Sequence, residues 1–393
     1  MSRWNSVRLS DIAIQGQYGL NAAAMKEGQG VRFVRITDID EHCELRSDGA
    51  AYVPTSTENL DSYLLESGDL LIARSGATAG KSLLFKGLDE PAVFAGYLIR
   101  FKLDTSRALP DFVGYFFKSN IYWNYINATK RVAAQPNVNA KELASLPVPL
   151  PPLPEQCRIV DLLSRAEGIV RLRREAEKKA AELIPALFLD MFGDPATNPK
   201  GWAVVPVSSI CNKCSTTDPK KASQAGFIYI DIAAIDNGRG VIVDPKPLVG
   251  AEAPSRARQV VKAGDVIFST VRPNLRGSAM VPNELDGQIC STGFCVLRPN
   301  AATTSAFVYA FARSDWFVEE MMKKVRGAQY PAVTDKDLFG HSIPIPPIVI
   351  QQQFSARFDE VVAIQSQQSA ATAKAQAAFD ALLASVFNDR GGN

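Results

Sequence analysis

The chain repeats itself. Pro149-Leu150-Pro151-Pro152-Leu153 leads into Gln156, and Pro344-Ile345-Pro346-Pro347-Ile348 leads into Gln351, at a shift of 195 residues. The same shift carries Lys141 and Leu143 onto Lys336 and Leu338, and Leu187 and Phe192 onto Leu382 and Phe387. Trp4-x-x-Val7-x-Leu9-Ser10-x-Ile12 opens the first copy, and Trp202-x-x-Val205-x-Val207-Ser208-x-Ile210 opens the second in a similar pattern. A duplication of this kind predicts two similar units related by pseudo-twofold symmetry. Two tethered modules suit a target with two parts, because the tether makes the second contact intramolecular.

Each copy has the same plan: a globular α+β part, a proline-rich hinge and a long helix. In the first copy, strands are expected over Val31–Ile36, Leu70–Ala73 and Ala92–Arg100. In the second they are expected over Phe227–Ile230, Val266–Ser269 and Gly293–Leu297. β-branched and aromatic residues flanked by glycine support them. Gly68-Asp69 and Gly264-Asp265 read as one turn used twice. Amphipathic helices are expected over about Pro110–Asn127 and Ser305–Val325. The hinge prolines forbid helix and favour extended chain.

Beyond the first hinge, Glu155–Phe192 reads as one helix, with Ile159, Leu162, Ala166, Ile169, Ala176, Ala180, Leu183 and Leu187 as a heptad seam. Pro185 should kink its last turns. A second helix, about Gln351–Asn388, places Phe354, Val361, Ile364, Gln368, Ala371, Ala375, Ala378 and Leu382 on one face. The two seams should pair as an antiparallel coiled coil on the order of 50 Å long. The expected domains are 1–150 and 196–346, joined by helical spacers at 151–195 and 347–393.

Composition narrows the function. The net charge is only +2, so nucleic-acid binding would rest on local clusters. One such cluster is Ala251–Ser278, where five basic residues face two acidic ones. With two histidines in the whole chain, histidine-based catalysis has little to work with. Cys211-x-x-Cys214 and Cys290-x4-Cys295 are too loosely spaced to predict a metal site. The six unevenly spaced cysteines fit a reducing compartment. The first residues have no apolar core of a signal peptide, and no apolar run spans a membrane, so a cytoplasmic location is expected.

Several segments could carry chemistry. Gly76-Ala77-Thr78-Ala79-Gly80-Lys81-Ser82 resembles a phosphate-binding P-loop, but only three residues separate its glycines where four are needed. An ATPase would need a different spacing. As a DNA-approaching loop, the same stretch offers Arg74, Ser75, Thr78 and Lys81 to a phosphate backbone. The second copy has a different loop there, with Arg272, Asn274 and Arg276. Arginine can take guanine bidentately and asparagine can take adenine. Beside the hinges, Gln135, Asn137 and Asn139, and Gln329, Tyr330 and Thr334, either contact bases or cap the following turn. Lys130, Arg131, Lys323, Lys324 and Arg326 sit near helix ends, where cations suit the dipole and could also meet phosphates.

The run from Leu146 to Gln156, the basic-apolar helix after it, and Met191-Phe192-Gly193-Asp194-Pro195 with Pro199-Lys200-Gly201-Trp202 together resemble the DNA-specificity subunits of type I restriction–modification systems. Gln135-Pro136-Asn137-Val138-Asn139 and Gly68 to Gly76 are similar to parts of that family's target recognition domains. The second copy departs modestly, with Val349-Ile350-Gln351 in place of Pro-Glu-Gln. The resemblance implies a non-catalytic subunit in which each target recognition domain reads one half of a bipartite, asymmetric double-stranded DNA sequence. It implies helices that fix the unread gap and dock two methyltransferase (M) subunits, joined by up to two restriction (R) subunits. It implies no cofactor on this chain, with S-adenosylmethionine, ATP and Mg2+ on the partners. The alternative from the residues alone is a coiled-coil adaptor that binds proteins without touching DNA.

Overall fold

A computed structural model describes every residue except 1–3, 15, 27–29, 47, 131–136, 328–330 and 388–393, with Lys130 given by its backbone alone. The chain divides into two compact units, Met1–Arg173 with Ala371–Asn393, and Arg174–Ala370.

The first unit is built on a four-stranded antiparallel sheet ordered Gln17–Tyr18, Leu98–Phe101, Leu70–Ala73, Ser82–Leu84. Leu70–Ala73 reads as a fully apolar run and is buried throughout, as a central strand covered on both faces should be. A second sheet sets Val31–Val34 between Tyr52–Val53 and Ala92–Phe94. Its helices are α1 (Leu60–Tyr63), α2 (Pro110–Phe116), α3 (Asn120–Lys130), α4 (Ala140–Ala144), the first part of α5 (Leu153–Ala181) and, from Ala371 on, the end of the last helix, Ile348–Phe387.

The second unit repeats the frame. Its four-stranded sheet runs Cys211–Asn212, Phe294–Pro299, Val266–Ser269, Ser278–Met280. A five-stranded sheet lies beside it, with Gly226–Ile230 parallel to Ile289–Ser291. Its helices are the end of α5, then α6 (Leu183–Phe192), α7 (Ser305–Arg313), α8 (Asp315–Lys324), α9 (Asp335–Phe339) and the first part of α10 (Ile348–Phe387).

The proline hinges are strands. Pro147–Pro149 pairs antiparallel with Ser6–Arg8, and Ser342–Ile345 with Ala203–Pro206. Each hinge therefore closes onto the start of its own repeat. Proline lacks the ladder N–H, so it is tolerated only in such a marginal pair. The glutamine after each hinge is fully buried. Gln156 accepts from Leu109 N–H at 2.8 Å and donates to the carbonyls of Arg107 and Pro151 at 2.9 and 2.8 Å. Gln351 accepts from Thr303 Oγ1 and Thr304 N–H at 2.9 and 3.1 Å, and donates to Pro346 O at 2.8 Å.

Four sequence expectations need correction. Pro110–Asn127 is two helices, broken before Ser119, whose hydroxyl accepts from Tyr122 N–H. Ser305–Val325 is likewise broken at Ser314, which leaves the helical region and caps α8 through Phe317 N–H. Ala92–Arg100 is two strands separated by a turn at Ala95-Gly96-Tyr97. Glu155–Phe192 breaks at Glu182, near Pro185, giving α5 and α6.

The helices pair antiparallel, but along a seam rotated from the expected one. In the second unit, Phe354 lies 6.1 Å from Phe188 and 5.0 Å from Phe192, while Gln365 donates to Ala180 O at 2.8 Å. Contacts thus move towards the chain start on one helix as they move towards the chain end on the other. The buried apolar positions of α5 and α6 are Ile159, Leu163, Val170, Ala180, Ile184, Phe188 and Phe192. Leu162, Ile169 and Leu183, assigned to the seam by heptad spacing, are exposed. Each helix must cover its globular unit as well as its helical partner, which widens the apolar face and defeats a strict heptad count.

Candidate nucleic-acid interface

In both units the loop after the central strand is bonded to the segment ahead of the short capped helix. In the first unit, Ser75 bridges Asn137, and Val138 N–H donates to Arg74 O at 2.8 Å. Arg74 N–H donates to Tyr97 O at 2.9 Å. In the second, Val271 bridges Ala332, Val333 N–H donates to Thr270 O at 2.9 Å, and Thr270 N–H donates to Gly293 O at 2.9 Å. This knot of backbone bonds recurs at equivalent positions in the two units. Two clusters that are distant in sequence thereby become one surface in each unit.

The side chains on that surface differ. In the first unit Ser75 is half-buried, Thr78 and Asn137 are exposed, and Arg74 lays its guanidinium over the Tyr18 ring at 5.0 Å. Lys81 turns inward, its ammonium donating to Ile39 O at 2.5 Å. Asn139 caps α4, accepting from Lys141 and Glu142 N–H at 2.9 and 3.0 Å, while Glu142 accepts from Asn139 N–H. The P-loop resemblance ends here. Gly76–Thr78 is a single 3-10 turn and Ser82–Leu84 is a strand, so no helix N-terminus is present to hold a phosphate.

In the second unit, Pro273–Leu275 forms a 3-10 turn bracketed by Arg272 and Arg276, both left-handed at φ 50° and 56°. Non-glycine residues there are strained, so the surroundings must hold the loop in shape. Arg272 N–H donates to Pro331 O, and Arg276 reaches Arg313 O and the carboxylate of Asp315. Arg313 in turn donates to Arg276 O and Ser278 O. Arg276 is thus a brace for the loop. Arg272 and Asn274 are exposed and, among the described residues, their side chains form no hydrogen bond or ion pair. Thr334 caps α9, accepting from Asp337 N–H and donating to its carboxylate at 2.6 Å. That bond, first, and the backbone N–H of Thr334 hold the Asp337 carboxyl below its usual range.

Gln135, Arg131, Gln329 and Tyr330 lie outside the described residues. Lys323, Lys324 and Arg326 are engaged with Glu320, with Asp337 O and His341, and with Asp337 respectively. Tyr18 and Tyr97 were missed by sequence reasoning: one falls in an unassigned segment, the other inside a predicted strand. The pair Gly96-Tyr97 signalled only a turn; the exposure of the ring is set by the fold. The second unit's cysteines are not arranged for chemistry. Burial pushes the Cys211 thiol up to about 12 and raises Cys214, Cys290 and Cys295 as well. Among the described residues no group of three or more His, Cys, Asp or Glu could hold a metal ion.

A family model described as the type I restriction modification DNA specificity domain matches residues 1–182 and again 199–374. The chain belongs to this family. It carries the specificity domain twice, and the two matches coincide with the two repeats. A putative type I restriction enzyme MjaX specificity subunit from Methanocaldococcus jannaschii is 25% identical, covering 95% of this chain and 91% of that protein. The type I restriction enzyme EcoKI specificity subunit of Escherichia coli K12 is 28% identical across 40% of this chain and 35% of its own length. Two solved chains share the fold. One comes from a study of complex assembly and conformational transition in the type I R-M system, at TM-score 0.55 and 21% identity, covering 98% of this chain and 97% of that one. The other is the S subunit of a type I restriction–modification system from M. genitalium, at TM-score 0.52 and 15% identity, covering 99% and 97%. The chain is a non-catalytic DNA-specificity subunit with two recognition domains for a bipartite target. A protein-only adaptor has no support in a family defined by DNA specificity. Among the described residues no helix is long and apolar enough to cross a membrane.

Proposed function

We propose that residues 1–150 and 196–346 each read one half of an asymmetric double-stranded site through the surface described above. The observation that carries this is the shared backbone knot. An identical frame holds Arg74, Ser75, Thr78 and Asn137 in one unit, and Arg272 and Asn274 in the other. Arginine and asparagine on a braced loop suit base-edge recognition, and the small polar residues suit phosphates. Lys81, Asn139, Arg276 and Thr334 hold these surfaces in place, and in this reading Gln135, Gln329 and Tyr330 also contact the DNA.

In this reading the helical segments 151–195 and 347–393 set the unread gap and dock two M subunits. Exposed Leu162, Ile169 and Leu172 on α5, and Val349, Val362 and Ile364 on α10, support a protein-binding role for the helices. R subunits join that core. S-adenosylmethionine, ATP and Mg2+ are held by the partners, and the assembly acts on cytoplasmic DNA. The test is the adenine methylation pattern of cells carrying the complete system. The wild type should give a two-part motif, and Arg272→Ala with Asn274→Ala should change one part only. A single continuous motif, or a motif indifferent to those changes, overturns the assignment.

A further inference from the structure

Among the described residues, Tyr18 and Tyr97 are the only exposed aromatic side chains, and both adjoin Arg74. Tyr97 is 63% exposed at the tip of the turn between Ala92–Phe94 and Leu98–Phe101. Folding gives no reason to leave a tyrosine there. The second repeat shows what the frame needs at this place. Strand register makes Leu98 equivalent to Phe294, so Tyr97 corresponds to Gly293. Gly293 is buried, and a Cβ there would lie 2.7 Å from the Ile232 side chain. Arg74 corresponds to Thr270, which is also buried and turns its hydroxyl onto Gly293 O. One repeat buries both of its residues at this corner, while the other leaves the Tyr97 side chain exposed and lays Arg74 over the Tyr18 ring.

We propose that Tyr97 is a base-contacting residue of the first recognition surface, its ring packing on the methyl edge of a thymine in the major groove. The proposal rests on the reading that this surface faces DNA. Apolar and aromatic side chains recognise thymine by that methyl group. Tyr18 is a positioning residue. Its hydroxyl accepts from Ala140 N–H at 3.2 Å, which fixes the ring, and the ring carries the Arg74 guanidinium. Arg74 is thereby directed to the neighbouring base or phosphate. Thr78 and Asn137 are exposed and both bond to Ser75, the residue after Arg74.

The experiment uses the full chain assembled with its modification partners and duplexes carrying the motif that methylation mapping defines. Binding is compared with duplexes changed at one base pair at a time. Tyr97→Ala should lower discrimination at one or two adjacent T·A positions in one half-site by roughly tenfold, and leave the other half-site unchanged. Tyr97→Phe keeps the ring and should preserve the preference. Tyr18→Leu should weaken discrimination only within the same half-site. Full preference retained at every position by Tyr97→Ala overturns the proposal. Equal weakening on all duplexes also overturns it, since phosphate contact or loosened folding acts that way. Arg272→Ala serves as the control in the other half-site: if it too leaves every position unchanged, the DNA-facing assignment of these surfaces fails, and not Tyr97 alone.

Discussion

Phe387 belongs to the second repeat in sequence but to the first unit in space, and its replacement by alanine separates the two. Its side chain is 3% exposed, with its ring 5.4 Å from Phe112 and 5.7 Å from Phe116. Phe379 and Leu383 bury beside it in the same core. Its counterpart in the first repeat, Phe192, lies 5.2 Å from Phe307 and 5.0 Å from Phe354 in the second unit. Truncating a buried phenylalanine costs about 3–5 kcal/mol. Phe387 ends its helix and can relax, so about 3 kcal/mol is expected for it, a large share of a typical domain stability of about 5–15 kcal/mol. Amide hydrogen exchange on the full chain reads the location of the loss. Phe387→Ala should speed exchange about a hundredfold in Leu98–Phe101 and Pro110–Phe116, and leave Val266–Ser269 and Ser305–Arg313 unchanged. Phe192→Ala should do the reverse. Effects that follow the sequence repeats, with Phe387→Ala loosening 203–345, would refute the division of the chain.

Three further outcomes are expected. Asn139→Ala and Thr334→Ala should each cost about 1 kcal/mol in a thermal melt and leave the methylation motif intact, because these residues cap helices; a changed motif would make them base contacts. Gln156→Leu should lower stability by about 2–3 kcal/mol in urea unfolding, since Leu109 N–H loses its buried acceptor, and a neutral result would show the amide to be dispensable. Burial first, and then the Lys324 cation, lower the pKa of His341 from its usual 6.5, so the unfolded chain takes up the proton before the folded one. The second unit should therefore be most stable above that pH and lose stability as the pH falls below it. His341→Phe should flatten this slope in a pH series of melts.

The repeat and its fold class were legible because apolar patterning and proline are local signals. Leu70–Ala73 and Val266–Ser269 appear as read, since buried central strands are continuous apolar runs. The helix breaks at Ser119 and Ser314 were hidden because serine tolerates a helix and the deciding cap bond is geometric. The capping role of Asn139 was written in Asn139-x-x-Glu142 all along. The fates of Lys81 and Arg276 were not visible, because their partners, Ile39 O and Asp315, lie 42 and 39 residues away. The same holds for the corner around Tyr97, which exists only once three separate segments meet.

Frame and specificity can diverge independently here because the frame is held mainly through backbone groups. Gln156 bonds only to the main chain of Arg107, Leu109 and Pro151, so the side chains at those positions do not determine its fit. Gln351 does the same at Thr304 and Pro346, adding one hydroxyl from Thr303. A fully buried amide tolerates few alternative chain paths, since any slip leaves it unsatisfied. The knot beneath each recognition surface is likewise made of main-chain bonds, from Val138 to Arg74 and from Val333 to Thr270. Such bonds persist while the residues that make them change, as Arg74 and Thr270 themselves show. Exposed positions such as Tyr97, Arg272 and Asn274 then carry little of the folding free energy. If these surfaces face DNA as proposed, selection for a new DNA sequence can act on them while the hinge and the helix pairing stay fixed, and a single duplicated frame can hold two unlike recognition surfaces.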